Sequence, residues 1–184
     1  MKFFHKYSKG GVFLISFKIN DVKGCMLRLL SETDHTFDSF LLSEAVITTY
    51  NTFHIDGHMN KEFFANDEDT PDACEGAGYS TWKTLKPICF SLIKGKRTPL
   101  NFKFIFLLSP ENTHKFLAQT NLNDSFSPDT INGLILNIKY DGSSLSATTA
   151  TSLQTFTLDK SLEHEWDTMV QKFFHAHGID FELL

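Results

Sequence analysis

The stretch NFKFIFLLSPEN, residues 101–112, decides the fold class, because it joins a strand directly to a helix start. The two-residue period of a strand places three phenylalanines on one face, namely Phe102, Phe104 and Phe106. Ser109 is suited to cap a helix N-terminus, and Pro110 to occupy the first helical position. The sequence therefore predicts a strand over Asn101–Leu108 and a helix from Pro110 to about Gln119.

An upstream stretch follows the same plan. A β-rich apolar run at Val12–Ile19 is followed by Asn20, which we expect to cap a helix over Asp21–Leu30. Residues Phe40–Ile55 are rich in β-branched and aromatic side chains. Their length predicts two strands rather than one, because a typical strand has about five to six residues.

The two stretches also end alike. The upstream strand pair is followed by an Asp56-Gly57 turn, and the downstream strands Leu134–Tyr140 and Leu145–Thr149 meet at an Asp141-Gly142 turn. A β-α-β-β unit is therefore predicted to occur twice, which suggests an internal pseudo-repeat.

Further elements complete the prediction. They are a short helix at Asn60–Ala65, a helix opening at Ser80 with Pro87 inside it and Gly95 as its left-handed cap, a strand at Leu153–Leu158, and a C-terminal helix that Gly178 ends. Because proline lacks an N–H group, a kink or two abutting helices are expected at Pro87. The pattern predicts an α+β fold with an antiparallel sheet of about five to seven strands and helices packed on it.

Composition supports one core. The chain has 184 residues, of which 41% are hydrophobic and 19 are Phe, and its net charge is −5. Disordered chains are poor in aromatic residues, so that class is excluded. We expect residues 12–184 to form a single α+β domain, and residues 1–11 to be a poorly ordered N-terminal extension.

The cysteines and apolar runs indicate a compartment. Three cysteines at wide spacing form neither a disulfide framework nor a zinc signature. The apolar run Val12–Phe17 is shorter than the roughly 7–15 residues of a signal peptide core. No run approaches the roughly 18 apolar residues of a membrane span. We therefore expect a cytoplasmic protein without a membrane partner.

Charge is unevenly distributed along the chain. Six acidic residues and no cation lie from Glu62 to Glu75, whereas all the charged residues within 76–110 are cations. The candidate residues for binding phosphate groups or a partner lie in the segment 83–97 and are Lys83, Lys86, Lys94, Lys96 and Arg97. Nucleic-acid binders usually have a pI above about 9, whereas this chain has a pI of 5.9, which disfavours nucleic acid.

A possible metal site is considered at HIDGHMN, where His54, Asp56 and His58 lie within five positions. The two histidines flank an Asp-Gly turn, so their spacing does not impose convergence as a helical pair would. A surface turn is the alternative interpretation. For catalysis through cysteine, Cys25 and Cys89 lie on or beside apolar stripes and Cys74 lies among acids, so none has the setting of a nucleophile.

Three stretches carry a resemblance to a known family: FDSFLLSEAVITTYNTFHIDGHMN, CFSLIKGKRTPLNFKFIFLLSPENT and LILNIKYDGSSLSATTATSLQTFTLDKSLEHEW. The chain resembles, from about Phe17 to Gly178, a family of uncharacterised small proteins from Clostridia-type bacteria. The resemblance implies a small cytosolic domain of unknown function. It implies no catalytic or binding residue.

These observations lead to three functional hypotheses. The first is a non-catalytic binding or protein-interaction module with an unknown protein partner and no cofactor, since no catalytic constellation stands out. The second is a nucleic-acid-associated protein that uses the basic 83–97 segment. The third is a metal-dependent enzyme around His54, Asp56 and His58. A homo-oligomer through an exposed edge strand is also considered.

Overall fold

A computed structural model describes residues 15–64 and 78–184. Its seven strands are β1 (Ser16–Ile19), β2 (Leu41–Thr48), β3 (Thr52–Asp56), β4 (Asn101–Leu107), β5 (Ile131–Tyr140), β6 (Leu145–Leu153) and β7 (Phe181–Leu183). Its four α-helices are α1 (Val22–Leu30), α2 (Trp82–Ile93), α3 (Pro110–Thr120) and α4 (Ser161–Ala176). Short 3₁₀ turns occupy Lys61–Phe64 and Pro128–Thr130. The predicted extension 1–11 and Cys74 lie outside the described residues.

The strands form one sheet in the order β3-β2-β4-β5-β6-β1-β7, and every neighbouring pair is antiparallel. This confirms the α+β prediction. β3 and β7 are the two edges. Alternation along β4 and β5 buries one face of the sheet, and the rings of Phe102, Phe104 and Phe106 lie in the core as their spacing predicts.

The helices pack on that buried face. Trp82 of α2 contacts the rings of Phe104 and Phe106 at centroid distances of 5.0 and 5.1 Å. Trp166 of α4 donates to the Ile135 carbonyl and meets Phe116 of α3 edge-on. The Trp82 indole also donates to the backbone carbonyl of the last turns of α1, which ties α1 to α2. Among the described helices, none covers the opposite face of the sheet.

Helix starts follow side-chain capping. Ser109 accepts from the Asn112 N–H, and Pro110 begins α3, as predicted. The prediction for α1 is wrong by one residue: Asp21, not Asn20, accepts the Gly24 N–H at 2.9 Å. The amide of Asn20 instead binds Asp180 across the sheet edge.

The predicted end of α2 also needs correction. Of the two alternatives expected at Pro87, a kink or two abutting helices, the second is wrong, because α2 is one continuous helix through Pro87. Its cap is Lys94 in an extended conformation, whereas Gly95 does not adopt a left-handed φ. Gly178, by contrast, ends α4 with a φ of +61°, as predicted. The backbone is therefore extended directly after α2, and the chain changes direction in the loop that follows.

The predicted strand Leu153–Leu158 is wrong. β6 runs continuously from Leu145 to Leu153, and the chain then leaves the sheet when the Gln154 N–H binds the Thr130 carbonyl. Phe156 is 82% exposed, so its side chain has no core to enter. A run of apolar residues does not form a strand when no neighbouring strand is available to pair with it.

The order of elements β-α-β-β occurs twice, as β1-α1-β2-β3 and β4-α3-β5-β6. Strand pairing differs between the two units. β4 lies beside β5 of its own unit, whereas β1 pairs with β6 and β7 and not with β2. The internal duplication therefore stays a prediction, because the sheet does not place the units alike.

Candidate functional site

An open groove of about 590 Å³ lies at the end of the sheet where the β2–β3 hairpin turns. It is formed by the hairpin turn, the last turn of α2 and the loop that leads to β4. We call it the basic groove, and it is lined by Thr49, Tyr50, Leu92, Ile93, Lys94, Gly95, Lys96, Arg97, Thr98 and Leu100. The Leu100 N–H donates to the Thr48 carbonyl at 2.8 Å, which fixes the loop against the hairpin.

The groove carries three cations. The ammonium of Lys94 lies 5.8 Å from the centre of the Phe90 ring, a favourable cation–π contact. Lys96 and Arg97 are exposed. Within the described residues, no carboxylate forms an ion pair with any of the three. Their charge is therefore available to an anionic ligand.

Aromatic and apolar groups lie beside these cations. Tyr50 is 85% exposed, and its ring packs edge-on against that of Phe53 at a centroid distance of 5.9 Å. Leu100 is 63% exposed. The hydroxyl oxygen of Thr49 is buried and lacks a hydrogen-bond partner among the described residues. Exposed large side chains that line a concave surface indicate a site of recognition rather than a solvated connector.

The structure moves Lys86 out of the predicted surface patch. It is only 3% exposed, and its ammonium binds the Asp38 carboxylate at 2.6 Å and the Asp34 carbonyl at 2.7 Å. The helical period explains the difference, because Lys86 shares the inward side of α2 with Trp82 and Cys89. Lys86 therefore holds the fold and cannot bind a partner.

The carboxyl of Asp38 is the centre of that internal network. Its other oxygen lies 2.7 Å from the Nδ1 atom of His35. Burial alone would raise the pKa of Asp38, but the hydrogen bonds from Lys86 and His35, together with their charges, outweigh burial and lower it. Asp38 is thus held ionised by its neighbours.

Lys83 lies apart from the other candidates. It is exposed in the first turn of α2, whereas the groove lies at the opposite end of that helix. Of the five predicted residues, the structure brings together Lys94, Lys96 and Arg97 only. The sequence prediction missed Tyr50 and Leu100. An aromatic side chain at a hairpin turn, where burial is unavailable, is the signal that could have identified Tyr50.

The three predicted metal ligands separate. His54 and Asp56 lie exposed on the uncovered face of β3, and a carboxylate oxygen of Asp56 accepts the His58 N–H at 2.9 Å. His58 lies beyond the turn, where its ring meets Tyr79 edge-on. Within residues 15–64 and 78–184, no group of three His, Cys, Asp or Glu side chains could hold a metal ion.

Other chemically active groups are enclosed. Burial raises the pKa of Cys25 to about 12 and that of Cys89 to about 12, so both thiols stay protonated. Asp167 is buried on α4, and its carboxylate accepts the Thr149 hydroxyl at 2.5 Å. Burial raises the pKa of Asp167 despite this hydrogen bond. None of these groups opens onto the basic groove.

A second cavity, of about 250 Å³, lies between the start of α3 and the opposite end of the sheet. It contains His114 and Asp129, but its wall is otherwise mainly apolar. It is less than half the size of the basic groove and lacks any lysine or arginine. The basic groove is therefore the stronger candidate site.

Comparison with known proteins gives a family but no function. A family of unknown function, DUF5721, matches residues 28–182, which confirms the resemblance to an uncharacterised domain. Neither a curated protein nor a solved structure matches the chain. In the described part of the chain, no helix combines the length and apolar character needed to cross a bilayer.

Proposed function

The chain belongs to DUF5721, a family of unknown function, and we propose that it is a non-catalytic protein-interaction module. Its basic groove binds an acidic segment of a partner protein. One observation carries this proposal: three cations that form no ion pair among the described residues share a groove with exposed aromatic and apolar side chains. Lys94, Lys96 and Arg97 supply the charge, and Tyr50 and Leu100 supply the apolar contact.

The cations provide orientation and attraction. Arg97 offers a planar guanidinium that can hold a carboxylate through two parallel hydrogen bonds. Lys94 and Lys96 add two point charges on the same wall. An acidic segment that enters the groove gains these contacts without displacing any carboxylate of residues 15–64 and 78–184. Such complementary charge accelerates association and selects the partner.

The apolar groups provide the affinity. Tyrosine is enriched among the residues that dominate binding energy, because it combines a large ring with a hydroxyl at low entropic cost. Tyr50 and Leu100 are the exposed large hydrophobic side chains of the groove. The partner segment therefore carries apolar side chains next to its acidic ones.

The composition of the groove favours a protein over a nucleic acid. Sequence-independent binding to nucleic acid depends on many phosphate contacts. Three cations on a chain with a net charge of −5 supply few. The exposed Tyr50 ring beside three cations is the feature that single-stranded nucleic acid would use, through stacking. Tighter binding of an oligonucleotide than of an acidic peptide would therefore assign the groove to nucleic acid.

We also propose a cytoplasmic setting. Cys25 and Cys89 are unpaired thiols, both buried. Reduced cysteines without a disulfide framework are typical of proteins kept in a reducing compartment.

The test is selection from a displayed library of random twelve-residue peptides, with the full chain as bait. The enriched peptides are expected to combine acidic and apolar residues. Lys96→Glu/Arg97→Glu should weaken their binding at least about tenfold, as measured by fluorescence anisotropy. The matched control is Lys139→Glu/Lys172→Glu, which reverses two exposed charges outside the groove and should leave affinity within about twofold.

Three results would contradict the proposed function. The first is a library from which no peptide is enriched. The second is a set of enriched peptides whose affinity the groove variant and the control change equally. The third is an oligo-dT of similar length that binds more tightly than the enriched peptide at the same salt concentration, which would assign the groove to nucleic acid.

A further inference from the structure

We propose that the partner segment binds as an additional antiparallel strand on the free edge of β3, with its acidic end in the basic groove. Its alternate apolar side chains lie beside α2. The inference rests on the proposed function and adds the mode of binding. It depends on three observations: a strand edge that no other described strand covers, an apolar strip next to it, and the continuity of both with the basic groove.

The hydrogen-bond pattern of the hairpin shows which groups are free. The Gly57 N–H donates to the Ser43 carbonyl, and the Thr49 N–H donates to the Asn51 carbonyl. Hydrogen-bonded pairs alternate along an antiparallel ladder. The pairs between these two bonds, Ala45 with Ile55 and Ile47 with Phe53, are therefore also the bonded ones.

The remaining residues of β3 direct their backbone groups away from β2. These are Thr52, His54 and Asp56. Within the described residues, no backbone group donates to or accepts from them on the outer edge. Proteins often blunt an edge strand with proline or lysine, and the sequence of β3, TFHID, contains neither. The edge is therefore a template for one more strand.

An apolar strip lies on the side of the helix layer next to this edge. Leu85, Ile88 and Leu92 follow the i, i+3, i+7 spacing of one helix flank. Lys86 points to the other flank, where it binds Asp38. The helical period therefore places the three apolar residues on the flank of α2 opposite Lys86. Leu92 on this flank lines the groove with Thr49 and Tyr50 of the β2–β3 turn, and Ile88 is 51% exposed.

The inward side chains of β3 complete the strip. Phe53 and Ile55 lie on the helix face of the sheet, and both remain partly exposed. A strand added to β3 would place every second side chain beside them and below α2, because side chains alternate with a period of two. The partner therefore needs apolar residues at alternate positions.

The strip opens into the basic groove, which sets the direction of the added strand. Leu92 lines both surfaces, and the Tyr50 ring contacts the Phe53 ring. Acidic residues of the partner therefore lie at the hairpin end, away from Asp56. In an antiparallel addition, the C-terminal side of the partner segment reaches this end, so its acidic residues follow its apolar ones.

A second copy of this chain fits the surface less well. Pairing of β3 with β3 of a second copy would bring the Asp56 carboxylate towards the hairpin end, and β3 itself contains no other carboxylate. That carboxylate already accepts the His58 N–H. Strand β3 of a copy would thus bring no further carboxylate to the three groove cations. Charge complementarity favours a separate acidic segment.

The decisive variant is His54→Pro, with His54→Ala as its matched control. Proline removes the outward N–H of His54, which makes no bond to β2, so the hairpin should be kept. Alanine removes the same imidazole and keeps the N–H. We expect the affinity for the enriched peptide to fall roughly tenfold with proline and to change less than about twofold with alanine.

Three further measurements keep the test informative if His54→Pro disturbs folding. Ile88→Asp should lower the affinity for the enriched peptide by at least about fivefold. Leu27→Asp, at a 67% exposed position on α1, should leave that affinity unchanged. Amide hydrogen exchange of His54 should slow when the peptide binds. A peptide with the same residues in reverse order, which places the acids first, should bind at least about tenfold more weakly.

The outcomes separate this inference from the proposed function. If groove charge reversal abolishes binding while proline and alanine at position 54 behave alike, the interaction module stands and strand addition is wrong. Equal affinity of the reversed peptide also overturns it. Light scattering at about 100 μM that shows a dimer of the wild type, and a monomer for His54→Pro, would assign the edge to a second copy instead.

Discussion

Two parts of the basic segment 83–97 differ in what surrounds their cations. Near the middle of α2, Lys86 is enclosed and bound to Asp38 and Asp34. Just beyond the last turn, Lys94, Lys96 and Arg97 face solvent and have no ion pair within the described residues. The residues are alike in type, and about two turns of helix separate the two environments.

The comparison shows that the position of a cation relative to α2 decides whether its charge is buried or exposed to solvent. A buried ammonium without a partner would cost several kcal/mol, so Lys86 is tolerated only because an acid and a carbonyl meet it. The open cations carry no such cost, because water solvates them. The first group is therefore structural, and only the second is free to act on another molecule.

The largest expected effect comes from breaking the enclosed pair. Lys86→Met should lower the free energy of unfolding by about 3–5 kcal/mol, because Asp38 is left charged without its cation. Lys96→Met should change it by less than about 0.5 kcal/mol. Urea unfolding followed by circular dichroism measures both. A loss at Lys86 no larger than that at Lys96 would show that the pair does not hold the fold.

A double variant separates pairing from packing. Lys86→Met/Asp38→Leu removes both charges and should recover most of the loss, because apolar side chains of similar volume often replace a buried ion pair without penalty. A double variant as unstable as Lys86→Met alone would mean that the methylene chain of Lys86, rather than its charge, is the stabilising part.

Lowering the pH is expected to have a smaller effect on the free energy of unfolding. The pKa of Asp38 is lower in the folded state than its ordinary value of 3.8. Its contribution to stability is therefore fully present above pH 3.8 and is lost as pH falls through the lowered pKa. Urea unfolding between pH 5 and pH 2.5 should show a steeper loss for the wild type than for Lys86→Met/Asp38→Leu. Parallel profiles would contradict this.

The smallest effect tests an outer member of the same network. The Arg28 guanidinium lies 3.9 Å from the Asp34 carboxylate, and both side chains are partly exposed. Exposed pairs contribute about 0.2–1 kcal/mol. Arg28→Ala should thus lower the unfolding free energy by less than about 1 kcal/mol, and 0.5 M NaCl should reduce the difference. A loss comparable with that of Lys86→Met would place Arg28 inside the enclosed network.

The sequence was informative where local chemistry decides the outcome. The phenylalanine spacing of β4 and the Ser109-Pro110 start of α3 predicted both elements, since each depends on neighbours in sequence. It failed where a distant residue decides. Asn20 has a capping side chain, but Asp180 binds it, and Asp21 takes the cap.

The candidate site was predicted in part for the same reason. Consecutive loop cations such as Lys96 and Arg97 have no helix to turn them inwards, so their exposure could be inferred from sequence. The burial of Lys86 depends on the loop that carries Asp38, 48 positions away. The free edge of β3 depends on the order of the strands, which no local pattern contains.

The position of β1 between β6 and β7 has a consequence for synthesis of the protein. Asn20, which follows β1, bonds to Asp180, which precedes β7, across 160 positions of sequence. At about 5–20 residues per second, a ribosome needs roughly 8–32 s to add that length. Until β6 emerges, Phe17 and Ile19 have no native strand to pair with. The emerging chain therefore holds an apolar strand that chaperones can recognise before the sheet can close.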